Sequence, residues 1–182
     1  METKVVAGKI LISAPAIGDV FNRSVILITE NNDNGTVGFI LNKKLNYRLK
    51  DVVETFSLID APVYLGGPVQ TELVSVIHRL GDKIGGYEIS ERIYYSCDVE
   101  KLNELAENNL LNQKDIRFFV GYSGWGKGQL SNEIKNNAWF ISQGNERYVF
   151  DTNAEDLWSI VLKDMGSKYK IISTFPKDPS LN

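Results

Sequence analysis

The chain has 182 residues, 43% of them hydrophobic and 24% charged, a length and composition that support a real core and exclude general disorder. A net charge of −3 and a pI of about 5.3 argue against the clustered basic face of a dedicated nucleic-acid binder. Cys97 is the only cysteine and His78 the only histidine, which excludes an internal disulfide and a Cys/His zinc site.

Lys9 to Ala14 is a short apolar strand that Pro15 ends, and Ser24 to Thr29 is a β-branched run of the kind buried on both faces. Asn31-Asn32-Asp33-Asn34-Gly35 is a turn signal, because these residues tolerate positive φ, and Thr36 to Asn42 is the returning strand of a hairpin. Leu49, Val52, Val53 and Phe56 have helical spacing. Val63-Tyr64-Leu65 runs into Gly66-Gly67-Pro68, a strand meeting a glycine turn. Leu73–Leu80 and Tyr87–Tyr95 read as strands, separated by turns at Gly81-Asp82 and Gly85-Gly86. Asp98 is a good N-cap for a helix whose apolar face is Leu102, Leu105 and Ala106.

Ile116 to Val120 is a buried strand leading into Gly121-Tyr122-Ser123-Gly124-Trp125-Gly126-Lys127-Gly128, with a helix expected over Gln129 to Asn136. Strand, glycine-rich turn, helix is how bare backbone N–H groups are brought against a ligand or another segment. Trp139–Ile141 and Arg147–Phe150 read as a hairpin around Gly144-Asn145. Thr152 and Glu155 have capping-box spacing before a helix striped by Leu157, Trp158, Val161, Leu162 and Met165, with Gly166 placed to end it. Pro176 and Pro179 make the tail extended or turned. Strands and helices mix without strict alternation, so the expected class is α+β with a mixed sheet, in one domain over residues 1–182. No apolar run is long enough for a signal peptide behind Met1-Glu2-Thr3-Lys4 or for a membrane span, and the single cysteine suits a reducing compartment, so a cytoplasmic location is expected.

The glycine segment admits several chemistries. Gly121, four residues, Gly126 and Lys127 have P-loop spacing. Gly128, however, stands where Ser or Thr should hold magnesium, and Trp125 is bulky for a loop that wraps phosphate. Ser123 lacks the second glycine of a nucleophile elbow, and only His78 could serve as its base. His78, in an alternating strand, reads as a satisfied structural residue. Cys97 precedes a helix start, where a dipole lowers a thiol pKa, yet it has no resolving partner and reads as a semi-buried thiol. Trp125 is the tryptophan placed to line a pocket or an interface, and Gln129 and Glu133 share a helix face beside it. The plain alternative is that the glycines permit tight turns and close packing.

The chain resembles the bacterial AlgH/YqgE family along almost its whole length. The resemblance is carried by Gly8-Lys9-Ile10-Leu11-Ile12-Ser13-Ala14-Pro15 with Phe21-x-Arg23-Ser24-Val25, by Gly38-Phe39-Ile40-Leu41-Asn42, and by Val63-Tyr64-Leu65-Gly66-Gly67-Pro68-Val69. It continues in Gly121-Tyr122-x-Gly124-Trp125-x-x-Gly128-Gln129-Leu130-x-x-Glu133 and in Pro179-Ser180-Leu181-Asn182. Ser123, Ser131 and Asn31 stand where that family often has Ala, Glu and His, and the absent His and Glu make acid–base or metal chemistry less plausible. The resemblance implies a mixed sheet bent into a pseudo-barrel with flanking helices, and no established reaction. Some members are labelled transcriptional regulators, although no helix-turn-helix pattern or basic helix is visible here.

The reading at this stage is a small-molecule- or protein-binding module, with a transcriptional regulator or a nucleotide-binding or hydrolytic enzyme as alternatives. The expected binding residues are Asn42, Gly66, Gly67, Pro68, Gly121, Tyr122, Gly124, Trp125, Gly126, Gly128, Gln129 and Glu133, converging at strand ends. No catalytic residue, metal or cofactor is expected, nor direct nucleic-acid or membrane binding.

Overall fold

The computed structural model describes residues 5–176, so Met1–Lys4 and the final Pro179-Ser180-Leu181-Asn182 block lie outside the described residues. Among the described residues ten strands form one curled sheet: β1 (Lys9–Ser13), β2 (Val25–Asn32), β3 (Gly35–Ile40), β4 (Lys44–Arg48), β5 (Pro62–Leu65), β6 (Val69–His78), β7 (Tyr87–Ser90), β8 (Ile93–Tyr95), β9 (Ile116–Gly126) and β10 (Trp139–Gln143). Their order is β10-β1-β2-β3-β9-β6-β8-β7, with β5 on β9 and β4 on β5. The β5–β9 pair is parallel and makes the sheet mixed, as expected.

Alternation along the strands explains why they read as continuous apolar runs. Ile10, Ile12, Val25, Leu27, Phe39, Leu41 and Phe119 point into one core. The intervening Leu11, Ile26, Ile28 and Ile40 point to a second, and Phe118 and Val120 to a third. A sheet buried on both faces needs apolar residues at every position. The first core is filled by α5 (Leu157–Asp164), whose Leu157, Trp158, Val161 and Leu162 are buried. The second is covered by α4 (Gln129–Lys135) through Leu130. The third is covered by α1 (Leu49–Val52), α2 (Gly81–Ile84) and α3 (Val99–Glu107) through Leu49, Ile84 and Leu102. This is the anticipated α+β architecture, a sheet bent into a partial barrel with flanking helices.

Several local expectations hold. Asp98 caps α3, its carboxylate accepting from the Glu100 and Lys101 N–H groups at 3.1 Å each. The hairpin turns at Asp33-Asn34, and Gly166 follows α5 at φ +106°.

Others need correction. The glycine-rich stretch is not a turn: β9 continues through Gly126, and only Lys127-Gly128 turns before α4. Residues 35–38 of β3 pair with residues 123–126 and keep that stretch extended, which removes the P-loop reading. The hairpin expected around Gly144-Asn145 is absent because Arg147–Asp151 form a π-helical turn. Tyr148, Val149 and Phe150 are all buried, which an alternating strand packed on one face cannot achieve. Asn145 Oδ1 caps that turn by accepting from Tyr148 N–H at 3.0 Å. Thr152 closes its other end by donating to Arg147 O at 2.8 Å, so Thr152 is not the cap of α5, which starts at Leu157.

The helix expected over Leu49 to Phe56 is interrupted at Val53, which is extended at φ −131°; two adjacent valines weaken so short a helix. Tyr87–Tyr95 is a hairpin rather than one strand, turning at Arg92 with φ +56°. Gly81-Asp82 opens α2 rather than a turn, and α6 (Ser167–Ser173) precedes Pro176 where no helix was read.

Two glycines separate steric from conformational need. A Cβ on Gly121, at φ +66°, would sit closer than 3 Å to the Gly67 carbonyl oxygen, whereas one on Gly128, at φ +77°, would meet nothing within 4 Å. Gly128→Ala should therefore cost roughly 1–2 kcal/mol, the left-handed penalty alone. Gly121→Ala adds overpacking and should cost about 2–5 kcal/mol. Urea unfolding of both variants measures the difference.

Candidate functional site

The two glycine segments do meet, and they meet each other. The Gly66 N–H donates to Val120 O at 2.9 Å, and the Gly66 carbonyl accepts from Ile40 N–H at 2.9 Å and from the Ser123 hydroxyl at 3.0 Å. A Cβ on Gly67 would collide with the Tyr122 carbonyl, and one on Gly66 with the Gly121 carbonyl. Gly66, Gly67 and Gly121 are buried, so this junction has no room for a ligand; Pro68 beside it is exposed. Ser123 is fully buried and spends its hydroxyl here. His78 is equally buried: it accepts from Leu80 N–H at Nδ1 (3.0 Å), which leaves Nε2–H to donate to Ser96 O (2.8 Å). Burial, partly opposed by that Ser96 contact, pushes its pKa down and keeps it neutral. Neither residue is available as nucleophile or base.

Trp125, Gly126, Gln129 and Glu133 form a second group. Glu133 Oε2 accepts from the Trp125 indole at 2.9 Å and the Trp139 indole at 2.7 Å, while Oε1 accepts from Gln129 Nε2 at 2.9 Å. The Gln129 side-chain oxygen accepts from Gly126 N–H at 3.1 Å. The two indoles pack edge to face at 5.9 Å, with Phe21 against both. Trp125 is only 6% exposed: its indole ties α4 to the sheet, and the residue also borders the cleft described next. Burial raises the Glu133 carboxyl pKa, but the bonds from Trp139, Gln129 and Trp125 outweigh it and hold it below the usual range. The sequence paired Gln129 with Glu133 but gave no sign of Trp139. Gly128, in the left-handed turn before α4, donates no side chain to any site.

Tyr122 and Gly124 do reach open space. With Val37, Gly35 and Thr36 of β3, Glu30 and Asn32 of β2, Val69 of β6, and Trp125, they line a cleft of about 330 Å³ at one end of the curled sheet. Asn42 lies at a different cleft, of about 280 Å³, with Arg23, Lys43, Trp158 and the residues leading into α5. The candidate residues thus divide between a closed junction, a structural network and two clefts.

The sequence reading overlooked Arg117, a charged residue inside an apolar strand and 9% exposed. Its guanidinium donates to Leu41 O at 3.1 Å and Thr152 O at 3.3 Å and lies 4.8 Å from the Tyr64 ring centre. The signal was the interruption itself in Ile116-Arg117-Phe118. Among the described residues no group of three or more His, Cys, Asp or Glu is placed to hold a metal ion, and no helix is long and apolar enough to cross a membrane.

A curled mixed sheet, closed by backbone-to-backbone glycine contact and covered on its other face by short helices, defines the structural class. Two solved structures share it. A protein from Corynebacterium diphtheriae superposes with a TM-score of 0.80 at 24% identity, covering 96% of this chain and 95% of that one. The AlgH protein from Pseudomonas aeruginosa gives 0.68, also at 24%, covering 97% and 98%. At this identity they establish the fold. In sequence, the UPF0301 protein of Cytophaga hutchinsonii is 39% identical over 178 residues, 96% of this chain and 98% of that protein. That of Chlorobium limicola is 36% identical over 177 residues, 96% and 95%. The family model described as AlgH-like (DUF179) matches residues 10–170, and the chain belongs to that family.

Two outcomes follow from the titrating groups. Glu133→Gln should destabilise the protein by about 1–3 kcal/mol, since two indole donors lose a carboxylate acceptor. Because the folded-state pKa of Glu133 is depressed, its contribution is present above the unfolded value of about 4.3 and fades as pH falls through the folded one. The gap between wild type and variant in urea unfolding should therefore narrow below about pH 4.3. Burial, reinforced by Asp98, pushes the Cys97 thiol up to about 11. A thiol reagent at pH 8 should label Cys97 slowly in the folded protein and rapidly in urea, as followed by mass spectrometry.

Proposed function

We propose that this protein is a cytosolic binding module rather than a catalyst, receiving a small molecule or a short segment of a protein partner at the end of the curled sheet. The observation that carries this reading is the cleft lined by Tyr122 and Gly124. It is the part of the glycine-rich segment left open once the Gly66–Gly121 junction and the Glu133 network are accounted for. The mixture of Tyr122, Val37 and Val69 with Asn32, Thr36 and Glu30 gives an apolar floor and a few polar groups to orient a ligand. Support for hydrolysis is weaker, because Ser123 and His78 are buried in internal hydrogen bonds and the Cys97 thiol is protonated at neutral pH. A regulatory role would be exercised through a partner, since the chain is acidic.

The test is a thermal-shift screen with magnesium nucleotides, common metabolites, short peptides and duplex DNA, comparing wild type with Tyr122→Ala and Gly124→Val. Gly124 is exposed, and a Cβ there meets only the edge of the Tyr122 ring at 3.2 Å, so valine obstructs the cleft with little strain. A ligand at about a hundred times its dissociation constant adds roughly 2.7 kcal/mol, on the order of 5 °C or more in Tm. A shift present in wild type and absent in both variants is the expected result. A shift that survives both variants would move binding elsewhere.

A further inference from the structure

Strand register sets two cross-strand rows on one face at the end of the sheet. Glu30 lies opposite Val37, and Val37 opposite Gly124; Asn32 lies opposite Gly35, and Gly35 opposite Gly126. Directly opposed residues of antiparallel strands point to the same side. Half of this block therefore carries no side chain, and all of its members except Gly126 line the cleft beside Tyr122.

The fold itself accounts for one of these glycines. Gly35 has φ +143°, and a Cβ there would collide with the Trp125 carbonyl oxygen. Gly124 and Gly126 are different. Both lie within β9, outside the left-handed region, and both are exposed. A Cβ on Gly126 would meet nothing nearer than Gln129 Oε1 at 3.9 Å, and one on Gly124 only the Tyr122 ring at 3.2 Å. The register runs unbroken from Gly35 opposite Gly126 to Gly38 opposite Ser123, so neither glycine marks a bulge. Glycine weakens a strand, and nothing in the packing of this chain requires these two to be bare. Close approach of a ligand is the explanation that fits them.

The charge of the block sets the kind of ligand. Glu30 Oε1 accepts from Asn32 Nδ2, and Asn32 Oδ1 is itself fixed by Asn34 N–H at 2.8 Å. Among the described residues Glu30 Oε2 has no hydrogen-bond or ion-pair partner. Glu30 is the charged residue of the lining; Lys127, the next residue after Gly126, sits in the turn outside it. Val37, Val69 and the Tyr122 ring supply apolar surface to the same cleft.

We propose that this cleft binds an organic cation, a guanidinium or ammonium group on a short carbon chain. Its charged head meets Glu30, and its chain lies across Gly124 and Gly126 beside Tyr122. The inference rests on the binding-module reading above and names the ligand class of that site. A carboxylate oriented by a neighbouring amide makes strong charge-assisted hydrogen bonds to such a head. The bare strand lets the chain pack directly on backbone, and an aromatic ring is a favourable neighbour for a cation. A free metabolite and an arginine or lysine side chain of a peptide share this chemistry.

The experiment records NMR amide spectra of the isotopically labelled full chain during titration with n-butylguanidine and, in a second arm, with the blocked tripeptide acetyl-Gly-Arg-Gly-amide. Their neutral isosteres, n-butylurea and the citrulline tripeptide, are the controls, all at constant ionic strength. Saturable shifts of the Gly124 and Gly126 amides are expected with the cations, about tenfold tighter than with the isosteres. The tighter arm tells a free cation from a peptide side chain. Glu30→Gln, at an exposed position, should abolish the preference for the cation. Gly126→Val, where there is space for the side chain, should weaken binding about tenfold or more at temperatures where the variant is folded. Equal binding of cation and isostere, blocked by Gly126→Val, overturns the ligand class and leaves the binding-module reading standing. No saturable shift with either cation, or cation binding unchanged by Glu30→Gln or by Gly126→Val, overturns the inference as well.

Discussion

The close approach of the Gly66-Gly67 backbone to Gly121–Ser123 is the constraint on which the rest of the sheet depends. Along one edge, β9 is first the parallel partner of β5 and then the antiparallel partner of β3. The change of partner falls at Gly121, and Gly66 bridges it by bonding to Val120 on one side and Ile40 on the other. Without side chains at these positions the two backbones can touch. With them, β3 and β5 could not share the edge, and the sheet could not curl around α5. The other edge of β9 carries β6, so an eleven-residue strand organises three neighbours.

That junction also decides where chemistry can occur. Residues that attract a mechanistic reading in the sequence are drawn into internal bonding: Ser123 to the Gly66 carbonyl, His78 between Leu80 and Ser96, Glu133 between two indoles. Ser123 and His78 are buried and Glu133 is half-buried, and each has its partners supplied. Open polar surface remains in the clefts, at Tyr122 and Gly124 in one and at Arg23 and Lys43 in the other.

How much of this could be read from the sequence depends on the range of the interaction involved. The Asp98 cap, the Asp33-Asn34 turn and the α5 stripe are set by residues a few positions apart, and they were legible. The apolar runs at Lys9 and Ser24 announced burial on both faces. The glycine segment was legible as unusual but misread in conformation, because what keeps it extended is β3, far away in the chain. The π-helical turn at Arg147–Asp151 was misread for a similar reason. Tyr148, Val149 and Phe150 look β-forming, and only the core they enter shows that all three must face inward. The hydrogen bonds of the Asn42 side chain, to the Arg23 carbonyl and from Val25 N–H, were invisible, since these partners are joined to it only by folding.

The pairing of β1 with β10 joins Lys9 to Gln143. A ribosome adding about 5–20 residues per second takes roughly 7–27 s to make the 134 residues between them (143 − 9). During that interval β1 and β2 have been made, each apolar on both faces, while β10, α4 and α5 have not. The growing chain therefore presents its stickiest strands first and the elements that cover them last. The cell must keep this N-terminal third from pairing with other chains until synthesis is nearly complete.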